Sequence, residues 1–336
     1  MTLGVKKQKV EGECSALDNL KAAGTRVVAD SGDFKAIAKY DPQDSTTNPS
    51  LILAASKKSD YQTLIDNAVQ YGKQHGTTTD EQVCCAMDKL LVEFGTSILK
   101  IVPGMVSTEV DARLSFDKEA TIKKALRIIE LYKEEGIDKD RVYIKIASTW
   151  EGINAAKVLE KEHGIHTNLT LLFSFAQAVA CAEARVALVS PFVGRIVDFY
   201  TAKTGKQYTS EDNPGIISVK NIYNYYKKHG YKTIVMAASL RTIDEVKALA
   251  GLDNMTLPLS VLDKLMDSSE SVPTVLTPEI AKREGGEKIS YINNESKFRF
   301  AMCEDEMATS KLADGIRKFA ADAVTLQELL EKKVTA

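Results

Sequence analysis

The chain has 336 residues, with 44 Lys and Arg against 46 Asp and Glu and a formal net charge of −2. Hydrophobic residues make up 44% and charged residues 27%, which excludes disordered, collagen-like and disulfide-scaffold classes. The balanced charge argues against a polyanion-binding surface as the main task, so no nucleic-acid partner is expected.

Residues 1–24 precede the first apolar run and are expected to form an N-terminal extension, partly disordered, ahead of one catalytic domain over 25–336. The opening MTLGVKKQKVEGE has no apolar core of a secretory signal, and no run of about 18 apolar residues occurs anywhere. Five cysteines (Cys14, Cys84, Cys85, Cys181, Cys303) show no C-x-x-C spacing and fit a reducing compartment. A cytoplasmic location with no membrane partner is expected.

Eight short β-branched or apolar runs follow in order: Thr25–Asp30, Asp44–Asn48, Met105–Val110, Val142–Ile146, Thr167–Leu172, Val186–Val189, Thr233–Ala237 and Met255–Leu259. Amphipathic segments separate them, such as Lys118–Glu135 with Ile122, Ala125, Leu126 and Ile129 on one face. From the middle of the chain a unit recurs: a helical segment, a Gly, a few polar residues, then an apolar run. It appears at 131–147, 159–173, 226–239 and 248–260. Glycine just past a helix end supplies the left-handed conformation, and unbroken apolar runs fit strands buried on both faces of a parallel sheet. Alternation of this kind predicts a single (β/α)8 TIM barrel. An open doubly wound sheet is the competing fold, but neither a G-x-G-x-x-G after the first strand nor a G-x-x-x-x-G-K-[ST] is present. Asp305–Ala320 and Thr325–Lys333 read as additional helices closing the barrel.

Barrel chemistry collects at the C-terminal ends of the strands. Those ends carry Asp30, Asn48, Glu109, Lys145, Asn168 with Thr170, Ser190 with Phe192 and Arg195, and Ser239 with Arg241. Lys145 interrupts an apolar run, where a charged amine is costly unless paired. Burial disfavours the charged form of an amine, and the neutral amine attacks carbonyls. A structural ion pair is the alternative for such a lysine. Two carboxylates and several hydrogen-bonding groups at neighbouring strand ends favour the Schiff-base role. Arg195 and Arg241 follow late strands, where barrels often hold phosphate, and guanidinium forks suit that anion. Asp111 and Arg113 read as a structural ion pair. His75, His163 and His229 each precede a Gly at a helix end, and His166 opens a strand, so a histidine triad or histidine-ligated metal is not expected.

At these residues the sequence resembles the class I transaldolases, Schiff-base sugar-phosphate transferases of the pentose phosphate pathway. The matching stretches are VVADSGD, PQDSTTNPSLIL, VPGMVSTEVDARLSFD, IKIASTWEGI, NLTLLFSFAQA, SPFVGRIVDFY, PGIISVKNIYNYYKKHGY and KLADGIRKFA, in family order along nearly the whole chain. The resemblance implies that Lys145 forms the Schiff base and that Asp30 is the acid/base at the substrate C4 hydroxyl. It implies that Glu109 acts through a water held with Thr170. Thr46, Asn48, Asn168, Ser190 and Ser239 would bind substrate hydroxyls, and Arg195 and Arg241 the phosphate. Related fructose 6-phosphate aldolases carry tyrosine where Phe192 stands, so phenylalanine favours transfer over release of free dihydroxyacetone. No metal or organic cofactor is implied, the partners are small sugar phosphates, and a homodimer is expected. The rival readings are a class I aldolase and a non-catalytic sugar-phosphate-binding barrel. Two departures stand out: Arg185 where the family often has Gly, and MAASLRT where MGASFRN-like text is usual. The first is expected to be a local loop change away from the site.

Overall fold

Every apolar run becomes a strand: β1 Arg26–Asp30, β2 Asp44–Thr46, β3 Val106–Glu109, β4 Val142–Ala147, β5 Thr167–Leu172, β6 Leu188–Pro191, β7 Ile234–Ala237 and β8 Asn254–Leu257. The computed structural model describes residues 14–336. The strands pair in parallel in chain order, and β8 returns to β1 to close the barrel. All six residues of β4 and of β5 are buried, as strands between a filled interior and a jacket of helices must be. The four repeat glycines, Gly136, Gly164, Gly230 and Gly251, all have positive φ, which is what the recurring unit required of them.

Three boundaries differ from expectation. Strand β2 stops at Thr46, because Asn48 caps the Pro49–Ser56 helix with its Oδ1 accepting from Leu51 N at 3.0 Å. Pro49 then takes the first helical position, where no N–H is needed. Strand β6 starts at Leu188 rather than Val186, because Arg185 turns the chain in the left-handed conformation (φ 60°). Ser190 therefore lies inside a strand instead of at its end. The two helices expected near the C-terminus are one, Glu306–Val334, since the residues between them, Ala321–Val324, include no Gly or Pro to break it.

Of the expected N-terminal extension, residues 1–13 lie outside the described residues. Ala16–Ala22 is a helix with a capping box in which Ser15 and Asp18 satisfy each other's backbone N–H groups.

Val28, Tyr143, Leu188 and Met236 cluster as an apolar layer contributed by β1, β4, β6 and β7. Side chains alternate along a strand, so two residues further on, Asp30, Lys145 and Ser190 project to the same side. A dry floor thus underlies a polar layer. The C-terminal helix Glu306–Val334 closes over that layer. Gly315 approaches so closely that a Cβ there would lie 2.6 Å from Leu171 Cδ2 and 3.3 Å from Arg195 Nη1.

Candidate active site

Register alone brings the central groups together. Glu109 on β3 pairs with Lys145 on β4, which pairs with Asn168 on β5; Asp30 on β1 pairs with Thr46 on β2. Lys145 and Glu109 are both buried. Lys145 Nζ donates to the Thr47 carbonyl at 3.1 Å and lies 3.4 Å from Glu109 Oε2. Burial pushes the Glu109 carboxyl up to about 6, against the opposing pull of the Lys145 charge. Thr170 Oγ1 is buried and has no hydrogen-bond partner among the described residues, so its hydroxyl can serve a ligand.

Burial also raises the Asp30 carboxyl above its ordinary range; the Lys145 charge, the Thr46 hydrogen bond and Arg195 work the other way. Thr46 Oγ1 donates to Asp30 Oδ1 at 3.0 Å and sits 2.7 Å from Thr256 Oγ1 on β8. On the opposite wall, Asn168 donates to Ser107 Oγ at 3.0 Å and accepts from Ser190 Oγ at 2.7 Å. These bonds fix the amide orientation of Asn168. Asn48 commits one lone pair of its carbonyl oxygen to the helix cap, and its NH2 group can be offered to a substrate.

The two arginines gather at the N-terminus of the Val193–Thr204 helix, itself a favourable place for an anion. The Arg195 guanidinium is sandwiched 4.9 Å from the Phe192 ring and 5.4 Å from the Phe319 ring. Arg241 makes a two-pronged pair with Asp198, at 2.5 and 2.6 Å. Ser239 takes a left-handed backbone (φ 60°), and its carbonyl accepts from Gly194 N at 3.1 Å. Phe192 is buried, with its ring 5.5 Å from that of Phe173.

All the candidate residues read from the sequence thus fall at one end of the barrel, the polar ones inside it and the arginines at its rim. Sequence reasoning missed their supports: Ser107, Thr256, Asp198, Gly194, Phe319 and the Thr47 carbonyl. Ser107 and Thr256 lay within expected strands at alternate, inward positions, which was the available signal. Asp198 and Phe319 carried none. Asp111 and Arg113 do pair, at 2.6 Å, as a structural bridge. They border a side cavity of about 140 Å³ that reaches Glu109 between the surrounding helices. Among the described residues no cluster of three or more His, Cys, Asp or Glu could hold a metal ion, and no helix is long and apolar enough to cross a membrane.

A closed parallel barrel with a buried lysine beside a carboxylate at the strand ends has the arrangement that chemistry through a lysine–carbonyl adduct needs. The family model described as Transaldolase/Fructose-6-phosphate aldolase matches residues 27–330. The chain is 67% identical to a transaldolase of Saccharomyces cerevisiae, over 98% of each chain. It is 66% identical to one of Kluyveromyces lactis over the same shares, and 57% identical to one of Rattus norvegicus over 98% of this chain and 96% of the other. The chain belongs to the transaldolase/fructose-6-phosphate aldolase family.

Proposed function

We propose that this chain is a transaldolase, a transferase that moves a dihydroxyacetone unit from sedoheptulose 7-phosphate to glyceraldehyde 3-phosphate, giving erythrose 4-phosphate and fructose 6-phosphate. The observation that carries the proposal is Lys145, buried 3.4 Å from Glu109 on the polar layer of the barrel. Lys145 Nζ adds to the C2 carbonyl of the donor. Glu109, with a water shared with Thr170, protonates the departing hydroxyl, and water leaves as the iminium forms. A carboxyl pushed up to about 6 can both give and take protons near neutrality.

Asp30 takes the proton of the C4 hydroxyl and the C3–C4 bond breaks. Its electron pair moves into the iminium, leaving an enamine on Lys145 and a free aldose phosphate. The acceptor aldehyde then binds, enamine C3 attacks its carbonyl carbon, and Asp30 returns the proton to the new hydroxyl. Hydrolysis of the iminium frees Lys145. Thr46 holds Asp30 for this transfer, while Asn48, Asn168, Ser190 and Ser239 orient sugar hydroxyls. Arg195 and Arg241 grip the phosphate, the second held in place by Asp198.

Free aldol cleavage is the second activity named in the family's description. Phe192 favours transfer, because its ring offers no hydroxyl to protonate the enamine and release dihydroxyacetone. We further assign the enzyme to the pentose phosphate pathway, to the cytoplasm and to a homodimer. A coupled assay tests the function. Fructose 6-phosphate should appear when both substrates are present, and free dihydroxyacetone should stay at a trace without acceptor. Equal rates of dihydroxyacetone release with and without acceptor would refute transfer.

A further inference from the structure

The opposite end of the barrel carries a cavity of about 780 Å³ that the chemistry above does not use. It opens among the starts of β5, β6 and β7, and its charged lining is Glu160, His166, Glu183, Arg185, Lys232 and Lys288. The two carboxylates are already engaged. Glu160 Oε1 accepts from Thr167 N at 2.8 Å, Thr167 Oγ1 at 2.7 Å and Ala187 N at 2.7 Å, and its Oε2 faces His166 Nδ1 at 3.4 Å. Glu183 Oε2 accepts from Tyr291 N at 2.8 Å and Ile292 N at 3.0 Å.

The cations are not so engaged. Among the described residues the side chains of Arg185 and Lys232 make no hydrogen bond or ion pair, and Lys288 has only the Tyr231 ring, 5.8 Å from its ammonium. Arg185 is the more unusual because of its backbone. It is exposed and takes φ 60°, a conformation that the corresponding turns of this barrel give to glycine. A non-glycine residue held in that region carries a backbone strain that glycine would avoid.

We infer that this cavity is a second anion site, built for a small metabolite carrying two phosphate groups. The volume lies within the range of small-ligand pockets, and a guanidinium and two ammonium groups lining one cavity suit phosphate oxygens. The site recognises phosphates rather than a ring. Tyr231, the only aromatic (Phe, Tyr or Trp) residue of the lining, already stacks on Tyr225 with ring centroids 5.9 Å apart.

Calorimetric titration of the full chain with inorganic pyrophosphate at low ionic strength tests the assignment. Wild type should bind at two sites. Arg185→Gly combined with Lys288→Gln should weaken one of them at least tenfold and leave KM for fructose 6-phosphate unchanged, while Arg241→Ala should weaken only the other. Lys232→Gln alone, at an exposed position, should also weaken the first site. A single wild-type site abolished by Arg241→Ala, or a double variant that titrates like wild type, would overturn the inference.

Discussion

Glu109 Oε2 lies 3.4 Å from Lys145 Nζ across the β3–β4 register, with both side chains buried above the apolar floor of the barrel. A buried pair of this kind costs desolvation on both partners and is weak evidence for a gain in stability. Its placement suits the proposed chemistry, which needs an amine and a proton carrier side by side. The Thr47 carbonyl, accepting from Nζ at 3.1 Å, restricts where the lysine can swing.

The raised Glu109 carboxyl sets a pH dependence. Activity should fall on the acid side as pH drops below about 6, and that limb should vanish in Glu109→Gln, whose rate should be lower by roughly a hundredfold or more. The stability consequence has a definite sign. Between 4.5, the ordinary value, and about 6 the folded state holds a proton that the unfolded chain has lost. Stability of wild type relative to Glu109→Gln should therefore decline as pH rises through that window, by about 2 kcal/mol. Urea titrations at several pH values measure it, and a difference that grows with pH would contradict the sign.

Gly194 is required where the rim is assembled. An added Cβ would lie 2.4 Å from the Ser239 carbonyl and 2.8 Å from Arg241 Nε. Gly194→Ala should cost about 1–3 kcal/mol of stability and raise KM for phosphorylated donors by displacing Arg241. Melting curves and steady-state kinetics together check this, and an unchanged KM would place the phosphate elsewhere.

Arg185 pays a backbone strain that glycine would avoid. Arg185→Gly should stabilise the protein by about 1 kcal/mol, with no loss of transfer activity. A lower Tm would show that the arginine side chain contributes more than its backbone costs.

Phe192 sits under the Arg195 guanidinium and beside Phe173. A hydroxyl added by Phe192→Tyr could protonate the enamine before the acceptor arrives. Release of free dihydroxyacetone from fructose 6-phosphate should rise, by up to roughly a hundredfold, relative to transfer. A release rate unchanged from wild type would remove Phe192 from control of the partition.

Much of this architecture was legible in the sequence because parallel barrels write it in periodic form. Unbroken apolar runs and glycine-terminated helices located all eight strands, and the polar interruptions in those runs named Lys145, Glu109 and Asn168. Strand order and register then did the rest. What could not be read were contacts between distant segments. Asp198 meets Arg241 only because the Val193–Thr204 helix and the loop after β7 converge on one rim, and Phe319 reaches Arg195 only because the C-terminal helix runs over the barrel mouth. Boundaries slipped where a local competitor won: Asn48 as a helix cap shortened β2, and the strained turn at Arg185 delayed β6. The departure at Arg185 signalled a changed turn, yet only the structure showed an arginine adopting the glycine conformation.

Borohydride reduction in the presence of fructose 6-phosphate, followed by peptide mass spectrometry, tests the central claim most directly. Stable addition of a three-carbon unit at Lys145 is expected, and Lys145→Met should fold normally, take no label and lose transfer. Label on a different lysine, or near-normal transfer by Lys145→Met, would contradict the assignment of the buried lysine as the nucleophile.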